Sequence, residues 1–141
     1  MLLEKFYEST AGHLPEEDDV HIIDVRGLSF KRYLEIAKQT GSKVAVITDN
    51  DEDYQQHCID KYADFSSNSN IQIFFHANNG QRTFEIVLYA NNTNLCDGLF
   101  GGDAQDYMLK NKTEAAFSLL SQDQTIIVPD YIKRAINWIR E

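Results

Sequence analysis

Two carboxylates, Asp49 and Asp51, stand directly after a short apolar run of the chain. The run Val44–Ile47 is rich in β-branched residues and too short for a helix, which predicts a buried strand of the parallel type. Open α/β sheets place their ligands at the carboxyl ends of such strands. Two carboxylates this close repel each other unless a cation lies between them, and a hard divalent ion such as Mg²⁺ is the usual one. The simpler alternative is an acidic turn without a metal, because Asp and Asn favour turns.

The same acidic stretch fits part of a calcium-binding loop of the EF-hand type. Asp49, Asp51, Asp53 and Asp60 match the spacing of ligands in that loop. Tyr54, however, stands where the sharp turn of the loop requires glycine, and the preceding element is a predicted strand instead of a helix. The sequence therefore does not favour an EF-hand.

Two phosphoryl-transfer families also place an acidic pair after a strand. A phosphatase of the haloacid dehalogenase type would use Asp49 as nucleophile and Asp51 as acid, but it usually carries threonine or valine where this chain has Asp53. Its motif also normally lies near the start of the domain. A response-regulator receiver places its acidic pair and its phospho-acceptor on different strands. Neither pattern fits well, so a metal-dependent phosphatase is the weakest of the functional hypotheses.

Composition places this chain among ordinary globular domains. With 141 residues, 43% of them hydrophobic, it is long enough for one domain with a real core. No apolar run is long enough to span a membrane, and Cys58 and Cys96 lack zinc or redox spacing, which predicts reduced thiols in a cytoplasmic protein. The net charge of −9 argues against a generic DNA-coating surface. It does not exclude an enzyme that meets phosphate through bound metal ions.

The first half of the chain predicts a strand–helix–strand unit around the acidic pair. Leu2–Thr10 shows the apolar stripe of a helix that ends near Gly12. Val20–Val25 is a strand candidate, and Ser29 can cap a helix that runs to Gly41. The Val44 strand follows at once, so short loops would join these elements in a right-handed βαβ unit.

The second half predicts a hairpin and a helical extension. Tyr54–Tyr62 has a helical pattern, and Ile71–Phe75 reads as a strand. Asn78-Asn79-Gly80 is a hairpin turn signal, and alternation over Arg82–Tyr89 predicts a returning antiparallel strand. The helical part begins with a short helix around Leu95–Leu99, which the break at Gly101-Gly102 ends. Asn111 and Glu114 have the spacing of a capping box at the start of the next helix, and Pro129 begins the last one.

Several motifs, taken in order, resemble the Toprim domains of OLD-family (overcoming lysogenization defect) nucleases, in which an ATPase precedes a C-terminal Toprim nuclease domain. The motifs that carry the resemblance are Val25-Arg26-Gly27-Leu28-Ser29-Phe30-Lys31-Arg32-Tyr33, Val46-Ile47-Thr48-Asp49-Asn50-Asp51, Thr83-Phe84-Glu85, Asn111-Lys112-Thr113-Glu114 and Pro129-Asp130-Tyr131-Ile132. The resemblance covers nearly the whole chain. It implies an α/β Toprim-like fold, with a small, mostly parallel sheet flanked by helices, an antiparallel hairpin and a C-terminal helical extension.

The resemblance also implies a role for each matching residue. Asp49 and Asp51 would bind Mg²⁺ or Mn²⁺, and Glu85, expected on the hairpin strand, would serve a second metal position. Lys112 would be the catalytic lysine that steadies the charge developing on the scissile phosphate. In two-metal sites the ions clamp the attacking and leaving oxygens of the displacement. Without the resemblance, Lys112 and Glu85 read as exposed surface charges, and the four histidines have no metal spacing.

Toprim domains begin with a strand that carries a metal-binding glutamate, and no part of this sequence matches it. Met1–Tyr7 resembles the helix that follows that strand, and Glu4 does not fit the motif. The sequence therefore predicts a single Toprim-like domain over residues 1–141 that lacks the glutamate strand. Backbone groups left unpaired would then require a rearranged sheet or a homodimer through the open edge.

Two functions follow as expectations. The leading one is metal-dependent cleavage of DNA by an incomplete endonuclease domain, weak or inactive alone, with an ATPase domain or a partner chain completing it. The alternative is a noncatalytic regulatory or assembly module that keeps the Toprim fold.

Overall fold

A computed structural model describes all 141 residues and centres on a two-stranded parallel sheet. Strand β1, Val44–Ile47, pairs with β2, Ile71–Phe74, in a register that sets Val44 opposite Ile71. Around this sheet lie seven helices: α1 Leu2–Ala11, α2 Phe30–Thr40, α3 Phe84–Asn91, α4 Thr93–Phe100, α5 Ala104–Lys110, α6 Lys112–Leu120 and α7 Asp130–Arg140. None of the helices combines the length and apolar character needed to cross a membrane.

Alternation along β1 divides the core into two layers. Val44 and Val46 pack against a cluster built on α2, which includes Leu34. Ala45 and Ile47 face the larger cluster, in which α1, α3 and α5–α7 meet. Side chains of a strand alternate between the faces of a sheet, so each face of β1 receives its own helical layer. The small sheet is thus sandwiched between helices, and the carboxyl end of β1 opens toward α3.

Most predicted elements are confirmed. Helices form at the predicted places for α1, α2, α4, α6 and α7, and both predicted strands flanking the acidic loop are present. Gly12 and Gly41 end α1 and α2 with φ of 86° and 74°, a left-handed conformation that glycine adopts without a steric cost. Pro129 directly precedes α7, as predicted.

The strand predicted at Val20–Val25 is wrong. These residues have no regular secondary structure, and residues 21–26 take part in no backbone–backbone hydrogen bond. A β-branched run can become a strand only where another strand offers matching groups, and β1 pairs with β2 alone. The predicted βαβ unit through α2 is therefore absent; the parallel pair is joined instead by the 48–70 segment. No observation supports the predicted homodimer.

The antiparallel hairpin is also wrong, because Arg82–Tyr89 is not a strand. Residues from Phe84 onward form α3, and the Asn78-Asn79-Gly80 turn leads into that helix. Every residue from Phe84 to Tyr89 except Glu85 is apolar, so alternation could not separate a strand from a helix in this segment. The helix prevails because its first turn finds a hydrogen-bond acceptor in Asp49.

Two local details differ from the predictions. The Tyr54–Tyr62 helix is not a regular α-helix but a π-helical turn, Gln55–Ile59, followed by a 3₁₀ segment, Asp60–Phe65. The predicted capping box does not form at the start of α6. The Asn111 amide donates back to the carbonyl of Tyr107, and Glu114 accepts from the hydroxyl of the same tyrosine. These contacts with Tyr107 of α5 therefore replace the hydrogen bonds of the predicted capping box.

Candidate metal centre

Asp49 lies at the carboxyl end of β1, where its carboxylate is partly buried. Its Oδ1 accepts a hydrogen bond of 2.8 Å from the backbone N–H of Phe84, the first residue of α3. The thiol of Cys58 donates to the Asp49 carbonyl at 3.4 Å. The predicted strand thus delivers the first acid of the pair to the amino end of a helix, where unpaired N–H groups stabilise a negative charge.

Asn50 fixes the loop that carries this helix. It is only 1% exposed, and its Nδ2 donates to the carbonyls of His76 at 2.7 Å and Asn78 at 2.9 Å. Its Oδ1 accepts from the backbone N–H of Glu52 at 3.0 Å. Sequence reasoning treated Asn50 as a spacer and missed this role. The only available signal was an amide side chain three residues after the end of the strand.

Asp51 turns away from the buried part of the site. It adopts φ of 47° and is exposed, and its backbone N–H donates to the Arg82 carbonyl at 3.1 Å. The Arg82 side chain forms an ion pair with Glu52. Asp51 and Glu52 both have positive φ, so the chain turns tightly at the second predicted metal ligand.

Glu85 lies in the first turn of α3 instead of on a hairpin strand, and its side chain is 14% exposed. Its Oε2 is buried without a hydrogen-bond donor, although the Lys112 ammonium lies 3.3 Å away as an ion pair. The hydroxyl of Thr83, two residues earlier, is also buried without a partner. Buried oxygens without partners are costly, so the Thr83 hydroxyl is available to a ligand, whereas Glu85 Oε2 is already neutralised by the Lys112 ammonium and could bind a cation only if that ammonium moved away.

The pKa of Asp49 reflects first its burial and then the negative charge around it. Burial, and then the charges of Glu85 and Asp51, raise this pKa from 3.8 to about 6. The Phe84 N–H and the Lys112 ammonium oppose that rise. A cation placed beside Asp49 would lower this pKa, because an opposite charge favours the ionised carboxylate.

Lys112 is the first residue of α6, and its side chain is 55% exposed. A cation in the first turn opposes the helix macrodipole, and its ion pair with Glu85 explains why it is tolerated there. Tyr131, in the first turn of α7, is a further residue that sequence reasoning did not assign. It is buried, and burial together with the charges of Asp49 and Glu85 raises its pKa.

The structure therefore brings together Asp49, Glu85 and Lys112. Tyr131 lies close enough to both acids for their charges to raise its pKa. Asp51 stays at the rim of this group. No three histidine, cysteine, aspartate or glutamate side chains are arranged to hold a metal ion jointly. The chemistry open to the site is the binding of one hard cation by two carboxylates, with water or phosphate oxygens completing its shell.

Comparison with protein families gives one match, to the family described as "Overcoming lysogenization defect protein-like, TOPRIM domain", over residues 1–51. Comparison with curated proteins and with solved structures gives no match. The matched segment runs from α1 through β1 and ends at Asp51; it includes neither Glu85 nor Lys112. Over residues 1–51, the chain is therefore similar to the Toprim domains of the OLD family.

Proposed function

We propose that this chain is a metal-binding domain of the DNA endonuclease type, with a Mg²⁺ or Mn²⁺ site built on Asp49 and Glu85. Toprim domains in general have metal-dependent functions on nucleic acids. The observation that carries the proposal is the closeness of two partly buried acids, Asp49 and Glu85: the Glu85 charge helps to raise the pKa of Asp49, and Glu85 Oε2 meets the Lys112 ammonium, which a metal ion could replace.

The donor set fits a hard divalent cation. Carboxylate oxygens of Asp49 and Glu85 are the ligands that Mg²⁺ and Mn²⁺ prefer, and the Thr83 hydroxyl could contact a metal-bound water. Asp51 is exposed at the edge of this pair, and the sequence predicts it as a further ligand on the solvent side of the ion. The ion would supply Lewis-acid charge neutralisation at a phosphodiester.

The other residues hold and complete this arrangement. The Phe84 N–H keeps Oδ1 of Asp49 in place and leaves its second oxygen free to bind. Lys112 is exposed enough to leave Glu85 and contact a phosphate oxygen, which is the role that the resemblance gives it. Tyr131 is buried and lies near both acids, so its ring would help to keep bulk water away from them. With only two acids converging, we expect weak or no cleavage by this chain alone, and an ATPase domain or partner chain would complete the activity.

Calorimetric titration with Mn²⁺ and Mg²⁺ tests the proposal. Wild-type protein is compared with Asp49→Asn/Glu85→Gln, with Asp49→Ala/Asp51→Ala, and with the matched control Asp64→Asn/Asp123→Asn. The control removes two exposed carboxylates that lie outside the site. Binding that the control retains and the two site variants lose supports the proposal. Equal titrations for all four proteins would reject it.

A noncatalytic regulatory or assembly module is the second candidate. The observation that favours it is the Lys112–Glu85 ion pair, since the ammonium already neutralises the charge that a metal would meet. The absence of a three-residue ligand cluster points the same way. This function predicts that the unfolding temperature does not change when Mn²⁺ is added, whereas a metal site raises it because ligand binding stabilises the folded state.

A further inference from the structure

Positive charge in this acidic chain is concentrated in one segment. Residues 26–43 hold five basic residues and one acidic residue, while the remainder holds eight basic and twenty-one acidic residues. The segment therefore carries a formal charge of +4 against −13 for the rest. It consists of α2 and the residues that lead into and out of it.

The cations of α2 are exposed and unpaired. Lys31, Arg32 and Lys38 all face solvent, and none of them takes part in an ion pair. Between them stand Tyr33 and Ile36, which are 47% and 59% exposed although both are largely apolar. We call these five residues the α2 face. Its opposite side is anchored in the smaller core cluster, so the helix presents this face as a firm surface.

Contacts at the start of α2 lead toward the acidic loop. The Phe30 ring packs on Tyr62 with centroids 4.8 Å apart, and the Lys61 ammonium lies 4.9 Å from the Phe30 centroid. Lys61 is also close enough to Cys58 to oppose the rise in the pKa of that thiol, which burial and then Asp51 cause. Lys61 therefore lies near both the first residue of α2 and Cys58, whose thiol contacts the Asp49 carbonyl.

We propose that the α2 face binds the phosphate backbone of duplex DNA. This inference rests on the proposed function and names the surface that would hold its substrate. The charge complementarity is local, so the overall charge of −9 does not oppose it. A nucleic acid is favoured over an acidic protein because lysine is depleted at protein–protein interfaces, whereas lysine and arginine make phosphate contacts.

Fluorescence anisotropy with a fluorescein-labelled duplex of about 20 base pairs tests this surface, in EDTA so that no metal can bridge protein and DNA. The variant is Lys31→Gln/Arg32→Gln/Lys38→Gln, and the matched control is Lys110→Gln/Lys133→Gln/Arg134→Gln. Both sets are exposed helical cations, and both change the net charge equally. Glutamine keeps a good helix propensity, so neither set should disturb the fold.

The expected result is a loss of affinity of about tenfold or more for the α2 variant at about 50 mM salt, with less than about twofold for the control. Three phosphate contacts also predict a fall of about 40-fold in wild-type affinity between about 50 and 200 mM salt, and the α2 variant should lose most of that dependence. Equal affinities for the two variants would overturn the inference. So would wild-type self-association that only the α2 variant abolishes, because the face would then bind the acidic surface of a second copy.

The same assay separates this inference from the proposed function. Asp49→Asn/Glu85→Gln should bind the duplex at least as well as wild type in EDTA, since it removes negative charge and leaves the α2 face intact. If metal titration fails while the α2 variant still loses DNA binding, the metal proposal falls and the surface stands. If metal binds and the α2 variant binds DNA like its control, the surface proposal falls alone.

Discussion

The backbone N–H of Phe84 donates a 2.8 Å hydrogen bond to Oδ1 of Asp49, across a sequence separation of 35 residues. The side chain that ends β1 therefore also serves as an acceptor for the first turn of α3. One oxygen of the carboxylate is committed to structure, and the other is left for a ligand. Helix placement and ligand binding are coupled through a single side chain, which makes the ionisation of Asp49 a measurable property of the fold.

Asp49 should make the protein less stable as the pH rises from about 4 to about 6. Its folded pKa of about 6 exceeds the ordinary 3.8, so the native state binds more protons than the unfolded chain in this window. The loss should be about 1–2 kcal/mol, after allowance for partial solvent access. Urea unfolding at several pH values measures it.

The matched variants for this prediction are Asp49→Asn and Asp123→Asn. An asparagine at 49 can still accept from the Phe84 N–H but cannot ionise, so it should flatten the pH dependence between pH 4 and 6. Asp123 is exposed, and its variant should follow wild type. A pH profile for Asp49→Asn that parallels wild type would contradict the assignment.

Glu85 and Lys112 should shift the pKa of Asp49 in opposite directions. The Glu85 charge raises that pKa and the Lys112 ammonium lowers it. We expect Glu85→Gln to lower the Asp49 pKa and Lys112→Gln to raise it, measured by titration of the carboxyl carbon in NMR. Lys110→Gln, which removes a cation paired with Asp106, is the control and should leave the value unchanged. Shifts of the same sign in both variants would show that the three groups do not share one site.

Asn50→Ala should destabilise the protein by about 2–3 kcal/mol, because it removes a buried amide that donates to more than one loop carbonyl. The carbonyls of His76 and Asn78 both rely on the Asn50 amide. Chemical denaturation measures the change, and Asn137→Ala, at an exposed position of α7, should alter stability little. A mild effect at Asn50 would mean that the 76–81 loop is held by other contacts.

Elements that depend on neighbouring residues were predicted correctly, and those that depend on residues far away in the sequence were not. β1 and the ends of α1 and α2 depend on neighbouring residues, such as a β-branched run or a glycine, and these predictions are confirmed. α3 depends on Asp49, which lies 35 residues earlier, and its apolar sequence suits a strand equally well. A pattern confined to its own window could not choose between the two.

The candidate site divides in the same way. Asp49 could be predicted because the end of a parallel strand is a general ligand position. Asn50 and Tyr131 could not, since their roles depend on the 76–81 loop and on the approach of α7 to the acids. Glu85 and Lys112 were predicted from the resemblance alone. Their 3.3 Å ion pair shows that the two side chains are neighbours, whatever their chemical role.

Asp18 should give the protein stability that disappears in acid. Its Oδ2 accepts from the Tyr7 hydroxyl at 2.7 Å and from Arg140 Nε at 2.9 Å, and it lies 2.8 Å from His13 Nε2. These contacts, the Tyr7 hydroxyl foremost, lower the Asp18 pKa from 3.8 to about 2. Because the folded pKa lies below the unfolded one, the contribution is present above about pH 4 and is lost as the pH falls toward 2.

Asp18→Asn measures that contribution, and Asp19→Asn is its control. The control replaces an adjacent exposed acid with φ of 58°, a conformation that asparagine accepts. The unfolding constant of Asp18→Asn should exceed that of wild type at neutral pH and approach it near pH 2. A ratio that stays constant across this range would show that the charge of Asp18 does not link α1 to α7.

The backbone amides of β1 should divide into two groups by hydrogen exchange. The N–H of Val44 donates to Asn70 and the N–H of Thr48 to Phe74, so the amides of this parity face β2. Those of Ala45 and Ile47 point to the other edge, where no strand lies. Ala45 and Ile47 should therefore exchange at least about tenfold faster than Val46, which the parallel register directs toward β2. Protection at Ala45 and Ile47 that vanishes on dilution would contradict this expectation and reveal a strand supplied by another chain. Protection that persists on dilution would contradict it too, and would mean that another segment of the same chain pairs with this edge in solution.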